Sequence, residues 1–249
     1  MASFQSEIIV LQSVDSTNNY AASLLKLSEV VEGTVVMAYE QTAGRGQRGN
    51  NWFSGAGLNL TITVILRPSF LQPSSQFVLN QMVSVALINY LKSIGIEAVI
   101  KWPNDILVDE QKIAGILIEN VLRGELIESA AVGIGLNVNQ DVFPVNLMAT
   151  SILRETGLQR NLSKELQVIL NELKQAYQLL KEQPENLKDS YIKNLYGFEV
   201  PLFYRDNDIV FQAVIEGIGE QGALMLRMPD GSLQSKIFKE VQLLGKNGL

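Results

Sequence analysis

Glu40-Gln41-Thr42-Ala43-Gly44-Arg45-Gly46-Gln47-Arg48-Gly49-Asn50-Asn51-Trp52 is the stretch on which the reading of this chain turns. Its spaced glycines release the backbone to positive φ and bring unshielded N–H groups near a ligand, while Arg45 and Arg48 offer forked donors suited to phosphate or carboxylate. The same composition also suits a plain surface loop, so the flanks matter. Thr34 to Tyr39 reads as a β-branched strand delivering the loop, and Leu58 to Leu66 as a strand leaving it, closed by Pro68.

The composition restricts the chemistry. With 249 residues, 47% hydrophobic and 18% charged, the chain can fold as one large domain or a medium domain with a small companion. Lys+Arg 20 against Asp+Glu 26 gives a net charge of −6, which argues against an extended nucleic-acid surface and leaves only a local basic patch at Arg45 and Arg48. The chain has neither cysteine nor histidine, which excludes disulfides, thiolate nucleophiles, serine–histidine triads and His- or Cys-ligated metals. Chemistry is left to lysine, arginine, carboxylates, backbone dipoles or a hard cation. Met1 to Val14 lacks the pattern of a signal peptide, and no uninterrupted apolar run approaches the roughly 18 residues of a membrane span. The expectation is a soluble, cytoplasmic protein without a membrane partner.

Taken in order, Glu7 to Val14 reads as a strand running into Asp15-Ser16-Thr17-Asn18, a helix start with apolar followers Tyr20, Leu24, Leu25 and Leu27. Asp15 or Ser16 suits a capping role, and Ser16, Thr17 and Asn18 also suit reading a polar ligand head. Pro73 to Ile94 has helical periodicity and stops at Gly95. Val99 to Val108 and Lys112 to Asn120 read as strands joined at Asp109-Glu110-Gln111, a hairpin that brings Lys112 toward Asp105. Taken singly, Lys112 reads equally as a solvated strand-end lysine and Asp105 as a turn former. Ile127 to Val138 is a strand interrupted by Gly133 and Gly135, which mark either a bulge or a close approach. Phe143 to Ser151 reads as an irregular connection, a candidate flap. Two helical patterns follow, from Ser163 through Leu180 and from Pro184 through Leu195, and from Gly197 onward short strands alternate with turns as in a small barrel.

Four stretches carry a resemblance in this order: Asp15-Ser16-Thr17-Asn18; Glu40 to Trp52; Lys101-Trp102-Pro103-Asn104-Asp105 with Lys112-Ile113-Ala114-Gly115-Ile116-Leu117; and Gly133-Ile134-Gly135-Leu136-Asn137. Together they resemble a biotin protein ligase over essentially the whole length. The resemblance implies an α+β architecture: a mixed-sheet, class II synthetase-like catalytic domain at residues 1–196 and a Src-homology-3-like β-barrel at 197–249. It implies that biotin and ATP form biotinyl-5′-adenylate, and that a lysine of a biotin carboxyl carrier protein domain then takes the biotinyl group. Carried over by position, the biotin contacts fall on Ser16, Thr17, Asn18, Gln41, Gly44, Arg45, Lys112 and Gly115. Those to ATP or the adenylate fall on Arg45, Gly46, Gln47, Arg48, Trp52, Asn104, Lys112 and Asn137. Lys112 and Arg45 are the implied charge stabilisers, Asp105 the group that orients or deprotonates the incoming lysine, and Mg²⁺ accompanies ATP without a protein metal cage. The pattern starts almost at residue 1, where repressor members carry a helix-turn-helix, so a monofunctional enzyme without a nucleic-acid partner is expected; a homodimer through a sheet edge stays open. Gln47 and Asn50 stand where many relatives have arginine, which lowers the loop's charge. The rival readings are a lipoate or octanoate protein ligase and a non-catalytic biotin- or nucleotide-binding regulator.

Overall fold

The computed structural model describes residues 7–27, 30–238 and 240–245, apart from the side chains of Leu27 and Arg48. Seven strands form one sheet: β1 (Ile8–Val14), β2 (Val35–Gln41), β3 (Leu60–Leu66), β4 (Val99–Lys101), β5 (Asp105–Val108), β6 (Gln111–Arg123) and β7 (Leu126–Leu136). Their spatial order is β1-β2-β3-β7-β6-β5-β4; β1 runs parallel to β2 and every other pair is antiparallel, so the sheet is mixed as expected.

One face of the sheet is covered by helices. Ile62, Val64, Val132, Ile134, Ala114 and Ile116 point into a core shared with α2 (Phe77–Ser93), α4 (Leu162–Glu182) and α5 (Pro184–Lys193). Helix α2 lies between the sheet and the other two helices, and its buried residues, Leu79 to Leu91 with only Asn89 left out, run around most of its circumference. Helix α4 has one apolar stripe, Leu166, Ile169, Leu170, Leu173, Tyr177 and Leu180, and buries it; Asn161 caps its first turn by accepting from the Lys164 N–H at 3.0 Å. The other face carries α1 (Thr17–Leu27), packed through Ala21 on Val36, Ile65 and Ala131. No other helix among the described residues covers that face.

A short helix, α3 (Ile152–Thr156), which the sequence did not signal, follows the irregular connection; Ser151 caps it and Gly157 closes it with a left-handed backbone. The start of α1 corrects another expectation. The N–H of Thr17 is taken by the Gln41 Oε1 at 2.8 Å, and Asp15 instead accepts from the Asn19 side chain at 2.5 Å. The first turn is thus tied to β2, a neighbouring strand, rather than capped by its own flank.

The small C-terminal unit is a five-stranded antiparallel sheet in the order β11-β10-β9-β8-β12, from β8 (Pro201–Asp206), β9 (Ile209–Ile218), β10 (Leu224–Arg227), β11 (Leu233–Lys236) and β12 (Gln242–Gly245). The single strand expected from Leu233 to Leu244 is therefore two, on opposite edges. This sheet is joined to the first by buried contacts. Trp102 Nε1 donates to the Gly222 carbonyl at 2.9 Å, and Leu202, Tyr204, Ile215 and Leu224 belong to the main hydrophobic core. No helix among the described residues is long and apolar enough to cross a membrane.

Leu87, fully buried at the centre of α2, tests this packing. Leu87→Ala is expected to lower stability by about 2–5 kcal/mol, read as a lower urea midpoint.

Candidate active site

The open face of the sheet is where the sequence-predicted residues meet. Across it, Thr63 lies opposite Gly133 and Gly133 opposite Leu117; the next row runs Thr61, Gly135, Gly115, Asp105. Side chains alternate along a strand, so these rows share one face, and the glycines leave it bare in the middle. The bare strip is filled from above. A Cβ on Gly133 would lie 2.3 Å from Asn18 Oδ1, and one on Gly135 2.3 Å from the Trp52 ring. Both positions need glycine for close approach, not for a bulge: the pairing of β6 with β7 shifts only at Val121/Leu122.

At one end of the strip polar side chains form a connected network. Thr17 Oγ1 stands 3.1 Å from Gln41 Oε1 and 2.9 Å from Thr63 Oγ1, and the Thr63 hydroxyl donates to Asn18 Oδ1 at 2.6 Å. The Asn18 amide donates to the Leu117 carbonyl at 3.2 Å and to the Glu119 carboxylate at 2.8 Å. Ser16, Thr17 and Asn18 are all buried.

The other end carries charge. Lys112 Nζ sits 2.7 Å from Asp105 Oδ1 and 5.5 Å from the centre of the Trp52 ring. A bulge puts it there. Between Ile106 and Leu107 the register shifts, so that Ile106 faces Ala114 while Leu107 faces Lys112; Ile113 is the extra residue and turns Lys112 onto the face of Gly115. Its Cε stands 2.9 Å from where a Gly115 Cβ would be. Back at the Asn18 end, Arg45 forms an ion pair with the Glu119 carboxylate that Asn18 also holds. Hydrogen bonds from the Asn19 side chain and the Ser16 backbone, with the charge of Arg45 nearby, hold the Asp15 carboxyl below its usual range.

The glycine loop folds on itself rather than lying open. Gly46 N donates to the Asn50 carbonyl at 2.7 Å and Trp52 N to the Gly44 carbonyl at 2.9 Å, so Trp52 is delivered onto the strip. The indole Nε1 is buried with no hydrogen-bond partner among the described residues.

Two cavities join at this point. The first is lined by Thr17, Gln41, Arg45, Trp52, Lys112 and Gly135 among others. The second lies between the two sheets, with Lys101, Asn104 and Asp105 on one wall and Tyr204 and Arg205 on the other. Gly46, Gln47, Trp52, Asn104 and Lys112 border both.

Of the residues expected from the sequence, Ser16, Thr17, Asn18, Gln41, Arg45, Gly46, Gln47, Trp52, Asn104, Lys112 and Gly115 line the first cavity, and Asp105 the second. Gly44 packs behind, where a Cβ would meet the Trp52 carbonyl oxygen at 2.6 Å. The side chain of Arg48 lies outside the described residues. Asn137 lines neither cavity and is buried beneath Lys112, its amide donating to the Thr150 carbonyl at 2.9 Å and to that of Lys112 at 3.3 Å. With Lys112 N donating to Met148 O at 2.9 Å, it fastens the candidate flap to β6. Thr63 and Glu119 were missed. Glu119 had a signal, since it follows Gly115 and Leu117 at the two-residue period of one strand face; Thr63 had none, being an ordinary β-branched strand residue.

A bare strip with hydrogen-bonding groups and the Arg45–Glu119 pair at one end and Lys112 with Asp105 at the other defines a site for an elongated ligand with a polar head and an anionic tail. Comparison with known proteins agrees with that class. Residues 10–137 match the biotin/lipoate A/B protein ligase family. The bifunctional ligase/repressor BirA of Escherichia coli is 30% identical over 95% of this chain and 74% of its own length. The biotin–[acetyl-CoA-carboxylase] ligase of Paracoccus denitrificans is 32% identical over 89% of this chain and 95% of its own. Among solved structures, the biotin protein ligase from Aquifex aeolicus in complex with biotin and ATP aligns with a TM-score of 0.80 at 25% identity, covering 96% of this chain and 99% of that one. The chain belongs to the biotin/lipoate A/B protein ligase family. The resemblance to a biotin protein ligase drawn from its motifs is borne out.

Gly135→Ala is expected to expel the Trp52 indole from the strip. Made together with Trp102→Phe, so that Trp52 is the only emitter, it should shift fluorescence to longer wavelength while the far-ultraviolet circular dichroism stays unchanged.

Proposed function

We propose that the joined cavities run the two half-reactions of a biotin–[acetyl-CoA-carboxylase] ligase, the activity of the relative that this chain matches nearly end to end. The observation that carries the assignment of roles is the position of Lys112, a cation at the junction of the two cavities. Biotin lies along the glycine strip of the first cavity, its ureido ring read by Ser16, Thr17, Asn18 and Gln41, with Arg45 and Gly115 at its walls. ATP enters from the second, bordered by Gly46, Gln47, Trp52 and Asn104, with Arg48 as a further anion contact.

In the first step a biotin carboxylate oxygen attacks the α-phosphorus of ATP, the bond to the bridging oxygen breaks, and pyrophosphate leaves. Two anions must meet, so fixed cations lower the barrier. Lys112 and Arg45 supply them. In the second step the carrier lysine amine attacks the acyl carbon of the mixed anhydride, AMP departs with the electron pair of the broken C–O bond, and the amine gives up a proton. Asp105 lies beside Lys112 and on the wall of the second cavity, where it can hold the Lys112 ammonium and then take that proton. Asn137 acts from below, fixing the backbone of Lys112.

Among the described residues no group of three or more carboxylates stands ready to hold a metal ion. Magnesium would arrive with ATP, held through phosphate oxygens and water, and would neutralise phosphate charge. The acceptor is the carrier domain of acetyl-CoA carboxylase, and the reaction takes place where ATP and that domain are, in the cytoplasm. A second copy pairing along a free sheet edge, and the absence of a nucleic-acid partner, complete the proposal. The family also contains lipoate ligases, and pyrophosphate exchange driven by lipoate rather than biotin would overturn the biotin assignment.

Lys112→Ala is expected to reduce biotin-dependent pyrophosphate exchange by about 10²–10³-fold; retention of full exchange would remove Lys112 from the mechanism. Asp105→Asn is expected to cut transfer from pre-formed adenylate to the carrier domain by about 10²-fold, in a single-turnover assay, with a smaller loss in adenylate formation.

A further inference from the structure

Arg45 does not reach the site unaided. Its guanidinium Nη2 is paired with Glu119 Oε2, and that oxygen also accepts from the Asn18 amide at 2.8 Å. Asn18 is buried and fixed twice more, by its bond to the Leu117 carbonyl at 3.2 Å and by the Thr63 hydroxyl at 2.6 Å. A single carboxylate oxygen thus joins a rigid, buried amide to a long, half-exposed cation. Glu119 lines neither cavity, so it does not meet a ligand there.

The geometry points to Glu119 as a positioning residue: held from behind by Asn18, it presents Arg45 at the mouth of the first cavity with most of its fork free. Among the described residues only one Nη of Arg45 is engaged, which leaves other N–H groups of the guanidinium for a ligand carboxylate or phosphate. A free arginine side chain samples many rotamers, and ordering it on binding opposes binding. Glu119 removes part of that cost beforehand. Its place on β6 follows from the strand period: Gly115, Leu117 and Glu119 share the open face, and Ala131 opposite Glu119 is small enough to leave room for the pair. Asp15 is the other carboxylate acting on Arg45, but it spends its own hydrogen bonds on Asn19 and the Ser16 backbone.

This inference rests on the ligase reading above. The test is biotin-dependent pyrophosphate exchange in Glu119→Ala, Glu119→Gln, Arg45→Ala and the double variant Arg45→Ala/Glu119→Ala, with thermal melting of each. Glu119→Ala is expected to lower kcat/KM for biotin about fivefold, the upper range for a half-exposed ion pair. Glu119→Gln, whose carbonyl can accept from both Asn18 and Arg45, is expected to recover most of that loss. In the Arg45→Ala background, removing Glu119 should change kcat/KM by less than about twofold, because the effect travels through Arg45. A loss that persists in the Arg45→Ala background would make Glu119 a structural residue only. Faster exchange in Glu119→Gln than in the wild type would make it a competitor for Arg45, and no loss in Glu119→Ala would leave it idle; each overturns the inference. A wild-type chain that exchanges nothing with biotin would overturn the ligase reading and this inference with it, whereas an active wild type with any of those outcomes overturns this inference alone.

Discussion

Everything in the site depends on the absence of two side chains from one face of β7. Gly133 and Gly135 occupy the middle of a seven-stranded sheet, where an apolar side chain would ordinarily gain by burial. Without a Cβ at either place, Asn18 and the Trp52 indole descend to the strand itself, each to within 2.3 Å of where that Cβ would be. The helix start and the glycine loop, far apart in the chain, are thereby brought to one floor. A methyl group on either glycine would separate them.

The charges over this floor are arranged in pairs. Lys112 has Asp105, Arg45 has Glu119, and all four side chains are between a quarter and a half exposed, at 35%, 26%, 40% and 42%. Ion pairs with this exposure are weak, contributing about 0–1 kcal/mol. That weakness suits the chemistry. A cation held firmly by a buried carboxylate would resist transfer to an incoming anion, and a cation with no partner would be disordered before the ligand arrived. Pairs at intermediate exposure order the cations and release them at small cost.

The C-terminal sheet contributes by enclosure. Its Gly222 carbonyl accepts from the half-buried Trp102 indole, and Tyr204 and Arg205 form a wall of the second cavity. The segment from Lys101 to Asp105 therefore serves both sheets: its backbone pairs in the large one, its aromatic ring binds the small one, and Asp105 faces the groove between them. Lys112 borders both cavities, together with Gly46, Gln47, Trp52 and Asn104.

The sequence by itself determined a good part of this. The periodicities of α2 and α4, the run of short strands after Gly197 and the flanks of the glycine loop are local, and the elements formed close to where they were read. The ordered motifs named the family and, residue by residue, most of the cavity lining, because glycines, arginines and the Asp105–Lys112 hairpin need their chemistry wherever the chain takes them. Tertiary structure alone decided the rest. Gly133 and Gly135 were open to a bulge or a close approach until Asn18 and Trp52 were seen to occupy the space. Lys112 faces Gly115 only because Ile113 bulges, and an odd spacing of three residues along a strand gives the opposite expectation. Asn137 lies beneath Lys112, and the N–H of Thr17 found Gln41 rather than a local cap. In each case the deciding partner is distant in the chain or depends on a shift of register, and only packing brings it into reach.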